Sequence, residues 1–74
     1  MGYRERITAD AAIMLGKPVI RGTRITVELV LTKLGEGATT EELLQAYPHL
    51  RREDVMAALA YSADVIGREE LLVL

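Results

Sequence analysis

A chain of 74 residues with no cysteine and a formal net charge of −2 is held to one domain with a modest core. It can carry neither a disulfide nor a thiolate metal site, and it is not a generally basic nucleic-acid binder. Half of the residues are hydrophobic, yet Trp and Phe are absent, so Leu, Val, Ile, Ala and Met must build the core, which suits packed helices. The longest apolar run, Val55–Tyr61, is far too short for a membrane span, and no long apolar segment follows the charged start Tyr3-Arg4-Glu5-Arg6. The expectation is a soluble cytoplasmic protein with no membrane role and no cofactor.

Charge is unevenly distributed. Residues 1–24 carry five basic side chains (Arg4, Arg6, Lys17, Arg21, Arg24) against Glu5 and Asp10, a net of +3; residues 25–74 carry four basic and nine acidic groups, a net of −5. A basic first third suits phosphate or an acidic protein surface, although a solvated loop has the same composition.

In chain order, Arg6-Ile7-Thr8 reads as a short extended piece and Ala11–Leu15 as an apolar stretch of about one helical turn. Pro18 forbids a helix interior and Gly22 marks a turn, flanked by Val19-Ile20 and Arg24-Ile25, so a small hairpin is expected. Such a ribbon must pack on the helices or on a second chain. A first helix is expected from Thr26, a good N-cap, with Val27, Val30, Leu31 and Leu34 as its core stripe and Gly35 and Gly37 as its end. Thr39 with Glu42 forms a capping box for a short second helix, whose stripe is Leu43, Leu44 and Tyr47 and which Pro48 stops. The third helix is expected from Arg52 through Val55, Ala58, Leu59, Ser62 and Ile66, with Gly67 interrupting it. The fold class that follows is mainly α: a three-helix, homeodomain-like helix-turn-helix bundle with a short N-terminal β-arm. It makes one domain over residues 1–74, with residues 1–25 as the arm and 26–74 as the helical core and tail.

Two arginine pairs draw the functional reading. Arg51 and Arg52 stand at the start of the third helix, where a recognition helix meets DNA. Positive charge there opposes the helix dipole, by up to about 1 kcal/mol, so phosphate or base contact would explain the choice; Glu53 and Asp54 offer the alternative of local neutralisation. Arg21 and Arg24 flank Gly22-Thr23 as a compact donor cluster for a phosphate, a minor groove or an acidic protein site, or as a plain hairpin rim. The apolar tail Leu71-Leu72-Val73-Leu74 needs a surface to cover it: the domain, a second copy or another protein. Catalysis finds no support. His49 is the lone His and sits in a turn, Ser62 has no base at readable spacing, and Gly16-Lys17 is followed by Pro18, outside any P-loop pattern.

The block Gly16-Lys17-Pro18-Val19-Ile20-Arg21-Gly22-Thr23-Arg24-Ile25 resembles the signature of the antitoxin-like "domain of unknown function 433" family. Further echoes are Leu34-Gly35-Glu36-Gly37, Glu41-Glu42-Leu43-Leu44, Tyr47-Pro48-His49-Leu50, Glu53-Asp54-Val55 and Ala57-Ala58-Leu59-Ala60-Tyr61, so the likeness runs over about residues 6–64. The resemblance implies a homeodomain-like fold with a β-arm and a homodimer. It also implies an antitoxin that inhibits a PIN-like nuclease toxin and represses its own operon. Two departures are Arg51, where Ser or Thr is frequent, and Gly35, where Ala is frequent. On that reading Arg51 and Arg52 meet operator DNA, while Arg21, Gly22, Thr23, Arg24 and the Leu71, Leu72, Val73, Leu74 tail meet the toxin. An inserted Arg would neutralise a cluster of metal-binding carboxylates. The rival is a protein-interaction module without a DNA role; a ribonuclease in its own right lacks a nucleophile or base.

Overall fold

Thr26 opens the first helix. Its hydroxyl accepts from the Leu29 amide at 2.9 Å, and α1 runs over Val27–Gly35 with Val27 and Val30 buried. Gly37, at φ +102, takes the left-handed conformation that ends the helix. Thr39 and Glu42 complete the expected capping box, with bonds of 3.1 and 2.8 Å, and α2 spans Thr40–Ala46. After the turn 47–51, α3 runs over Arg52–Gly67. The computed structural model describes residues 2–68; the tail Leu71–Leu74, expected to dock, lies outside the described residues.

The N-terminal third is a ribbon, paired more widely than the local sequence suggests. β1 (Ile7–Thr8) lies antiparallel to β2 (Val19–Ile20), with Ile7 opposite Ile20 and Thr8 opposite Val19. The expected hairpin around Gly22 is also present: Ile20 N–H donates to the Ile25 carbonyl at 2.8 Å, and Val19 bridges Thr26. The ribbon is therefore gripped from both sides. A 3₁₀ turn at Tyr3–Glu5 precedes it.

Ile7, Ile20, Val27, Val30, Leu43, Leu50 and Val55 form the core with Ala57 and Ala58. Fully burying each branched side chain is worth about 1.5–3 kcal/mol, which anchors the ribbon on the helices. α3 is the hub, packed on the 3₁₀ turn, β1, α1 and α2. Its buried face is Asp54, Val55, Ala57 and Ala58. Leu59 and Ile66, expected on the inner stripe, are exposed. α3 is apolar on both sides, so side-chain spacing alone does not fix its orientation. Ala11–Leu15 also departs from expectation: the backbone turns left-handed at Met14 and Leu15 instead of making an ordinary helical turn.

A cationic groove between the hairpin turn and the helix-turn-helix turn

The first wall is the turn 21–24. Gly22 adopts φ +79, which costs an L side chain strain. The Thr23 hydroxyl braces the turn, donating to the Ile20 carbonyl at 2.7 Å and accepting from Ile25 N–H at 3.0 Å. Arg21 faces back along the ribbon: its guanidinium donates to the carbonyls of Glu5 (2.8 Å) and Arg4 (3.3 Å). That fixes the side chain without cancelling its charge. Arg24 is exposed.

The second wall is the turn between α2 and α3. Leu50 is buried and donates to the Tyr47 carbonyl at 2.8 Å, so Pro48 and His49 are thrown outward. Arg51 is the extended N-cap of α3, but a guanidinium has no acceptor to offer the first-turn amides. Asp54 supplies the reciprocal half of the cap, accepting from Arg51 N–H at 3.0 Å. It is buried, and its other oxygen accepts from Arg6 Nη1 at 3.0 Å.

These walls enclose an open groove of about 710 Å³ lined by Arg6, Arg21, Arg24, Arg51 and His49, with Asp54 among them and Ile25, Tyr47 and Pro48 as the apolar part. Four arginines and one carboxylate thus line the same groove, and Arg6 is the one paired with that carboxylate. Among the described residues, no hydrogen bond or ion pair engages the side chains of Arg24, His49 or Arg51. Cations around an apolar strip suit a polyanion, since a guanidinium presents a fork that matches phosphate or carboxylate.

The structure rearranges the sequence-based pairs. Arg51 joins Arg21 and Arg24 in one groove, while Arg52 pairs with Glu41 of α2. A hydrogen bond from Arg52 holds the Glu41 carboxyl below its usual range, and the same bond raises the Arg52 pKa. Gly22 and Thr23 shape the turn; Thr23 is tied into it by its own hydrogen bonds. Arg6, His49 and Asp54 were not singled out from sequence as site residues. For Arg6 the available signal was its place in the basic first third. For Asp54 it was an acid three positions after a residue that cannot cap.

A second polar cluster joins the ends of the described chain. The Tyr3 hydroxyl donates to Asp64 of α3, the Tyr3 ring meets Tyr61 edge-on with centroids 5.4 Å apart, and Arg68 pairs with Asp64 at 3.0 Å. The hydrogen bond raises the Tyr3 pKa, and together with Arg68 it lowers that of Asp64. Among the described residues, no group of three or more His, Asp or Glu is placed to hold a metal ion, and no helix is long and apolar enough to cross a membrane.

Fold and groove define a small helix-turn-helix domain with a β-ribbon and an arginine-lined cleft at the junction of the two. The chain belongs to the family described as "Protein of unknown function (DUF433)", which it matches over residues 7–62. A crystal structure of a DUF433 member from Anabaena variabilis superposes with a TM-score of 0.79 at 33% identity, over 85% of this chain and 62% of that one. The chain is also 37% identical over 59 residues to "Uncharacterized protein y4eO" of Sinorhizobium fredii, covering 80% of this chain and 27% of that protein. It therefore spans about a quarter of the length of that relative and less than two thirds of the solved one.

Proposed function

We propose that this chain is an antitoxin-type regulator that grips a polyanion, the DNA of its own operator, in the arginine groove, and that it inhibits a PIN-like ribonuclease as its toxin partner. The observation that carries the reading is the convergence of Arg6, Arg21, Arg24 and Arg51 on one groove with a single carboxylate, in a chain whose total charge is negative. Concentrating cations on one face of an acidic protein directs that face toward phosphate while the rest repels it. The toxin partner is supported by the family resemblance and by the fit of an arginine cleft to a carboxylate-lined nuclease site.

Arg24 and Arg51 sit in the same groove, so the two ligands compete for it. A gel shift on operator DNA tests the reading. The Arg24→Ala/Arg51→Ala double variant is expected to weaken binding uniformly across sequences and to flatten the log–log salt slope by about 2, one per lost phosphate contact. Arg52→Ala, whose guanidinium is held by Glu41, is the control and leaves the shift in place. Equal, salt-insensitive binding by wild type and the double variant would refute the DNA role. Failure of the chain to co-purify with a co-expressed PIN-like nuclease, or to protect RNA from it, would refute the antitoxin role and leave a simple DNA binder.

A further inference from the structure

Part of the arginine groove is not cationic. Ile25, Tyr47 and Pro48 lie beside the arginines, and contacts to a phosphate backbone make no use of an apolar strip. Tyr47 belongs by spacing to the buried stripe of α2, yet it leaves the helix ahead of Pro48 (φ −127, ψ 89). It is only half-buried, packed against the core and open to the groove. Its backbone is held on both sides: its N–H donates to the Leu43 carbonyl at 2.9 Å, and its carbonyl accepts from Leu50 N–H at 2.8 Å. An anchored aromatic ring beside cations is a surface on which a base can stack.

The cations are not equivalent. Arg6 is engaged with Asp54, and Arg21 is tied to the carbonyls of Glu5 and Arg4 with its charge uncancelled. Arg24 and Arg51 are exposed, one on each wall, and among the described residues no hydrogen bond or ion pair engages their side chains. Four arginines against one carboxylate leave three positive charges unmatched. A diphosphate carries about three negative charges, one on its bridging phosphate and up to about two on its terminal one. The groove volume of about 710 Å³ exceeds what a bare phosphate needs and lies within the range of about 300–1,000 Å³ usual for small-molecule sites.

We propose that the groove takes a free nucleoside diphosphate, its phosphates spanning Arg24 and Arg51 across the two walls and its base lying against Tyr47 and Pro48. Arg21 and the ring N–H of His49 are further donors within the same groove. The inference rests on the reading of this groove as a phosphate-binding site and adds its regulation. Nucleotide and operator DNA use the same arginines, so the free nucleotide releases the DNA.

Isothermal titration calorimetry of the full chain with ADP, pyrophosphate and adenosine separates the parts of the ligand. ADP is expected to bind about tenfold more tightly than pyrophosphate, the scale of one stacked base, and adenosine to bind more weakly than either. Tyr47→Leu keeps an apolar side chain on the core and should erase the advantage of ADP over pyrophosphate; Tyr47→Phe should keep it. Arg24→Ala/Arg51→Ala should lose both ligands. In NMR spectra the adenine protons of ADP should shift upfield with wild type and not with Tyr47→Leu, a ring-current readout that a merely structural role of Tyr47 does not produce. Three results overturn the proposal: no binding of ADP at millimolar concentration; equal binding of ADP and pyrophosphate by wild type, the mark of a site for phosphate alone; or ADP binding that survives Arg24→Ala/Arg51→Ala. The gel shift keeps the two readings apart. A chain that binds ADP but no operator DNA refutes the operator role and upholds the nucleotide site, whereas DNA binding in a chain that takes no ADP refutes the nucleotide site alone.

Discussion

Asp54 holds two jobs at once. It accepts from Arg51 N–H and from Arg6, so it caps α3 and ties the N-terminal segment to it, while its charge offsets part of the groove. The two effects have opposite signs on substitution. Asp54→Ala is expected to lower the unfolding free energy by about 2–3 kcal/mol, the scale of lost hydrogen bonds to a charged group, measured by urea denaturation. Asp54→Asn keeps an acceptor for the cap but removes the charge, so it should destabilise less and, under the proposed DNA-binding function, hold operator DNA more tightly, with a steeper salt slope. Arg52→Ala gives the contrast: its pair with Glu41 is exposed on both sides and should change stability by less than about 0.5 kcal/mol. None of Asp54's role was legible beyond its place in a first helical turn, because its ion-pair partner lies 48 positions away and sequence spacing carries no signal at that range. Arg51 stands where Ser or Thr is frequent in the family and has no acceptor to offer the first turn; that Asp54, three positions on, supplies the other half of the cap is what the structure adds.

Among the elements, the helix starts were the most readable features, because caps act within a few residues. Thr26 and Thr39 occupy the positions their side-chain chemistry assigns. Thr39→Ala should cost about 1 kcal/mol and Leu43→Ala about 3 kcal/mol through its cavity, both read from denaturant midpoints. Two elements misled. The apolar run 11–15 has helical composition, but its backbone turns left-handed, and nothing in residue type announces that. α3 is rich in alanine, so Val55 with Ala58 and Met56 with Leu59 make equally plausible inner faces; packing against the ribbon decides for the first. The N-terminal turn and α3 also set a pH response. The hydrogen bond between Tyr3 and Asp64 lowers the Asp64 pKa, so its contribution is present above the unfolded carboxyl value of about 3.9 and lost as pH falls through the folded one. It raises the Tyr3 pKa, so the contribution is present below about 10 and lost as pH rises through the folded value. The stability gap between wild type and Tyr3→Phe should therefore be widest between about pH 5 and 9 and close on both sides, as thermal melts across pH will register.

For the molecule as a whole, the groove exists only because the ribbon is docked on the bundle. One wall comes from the turn 21–24 and the other from the turn 47–51, and the Arg6–Asp54 pair joins them. The sequence displayed the two arginine clusters but offered no means of seeing that they face each other, since that depends on which side of α3 the ribbon covers. The overall class, three helices with a β-arm, was legible because each helix declares itself locally. The groove was not, because it is a tertiary product.

The contact between Tyr3 and Asp64 spans 61 positions. A nascent chain can shape α1 and α2 while it is still being made, but it cannot shut this joint until α3 has almost entirely emerged. Contacts of such sequence separation carry a loop-closure cost that local helix formation does not. Shortening the protein from either side would thus pry open one and the same seam, and the two kinds of truncation should share a phenotype.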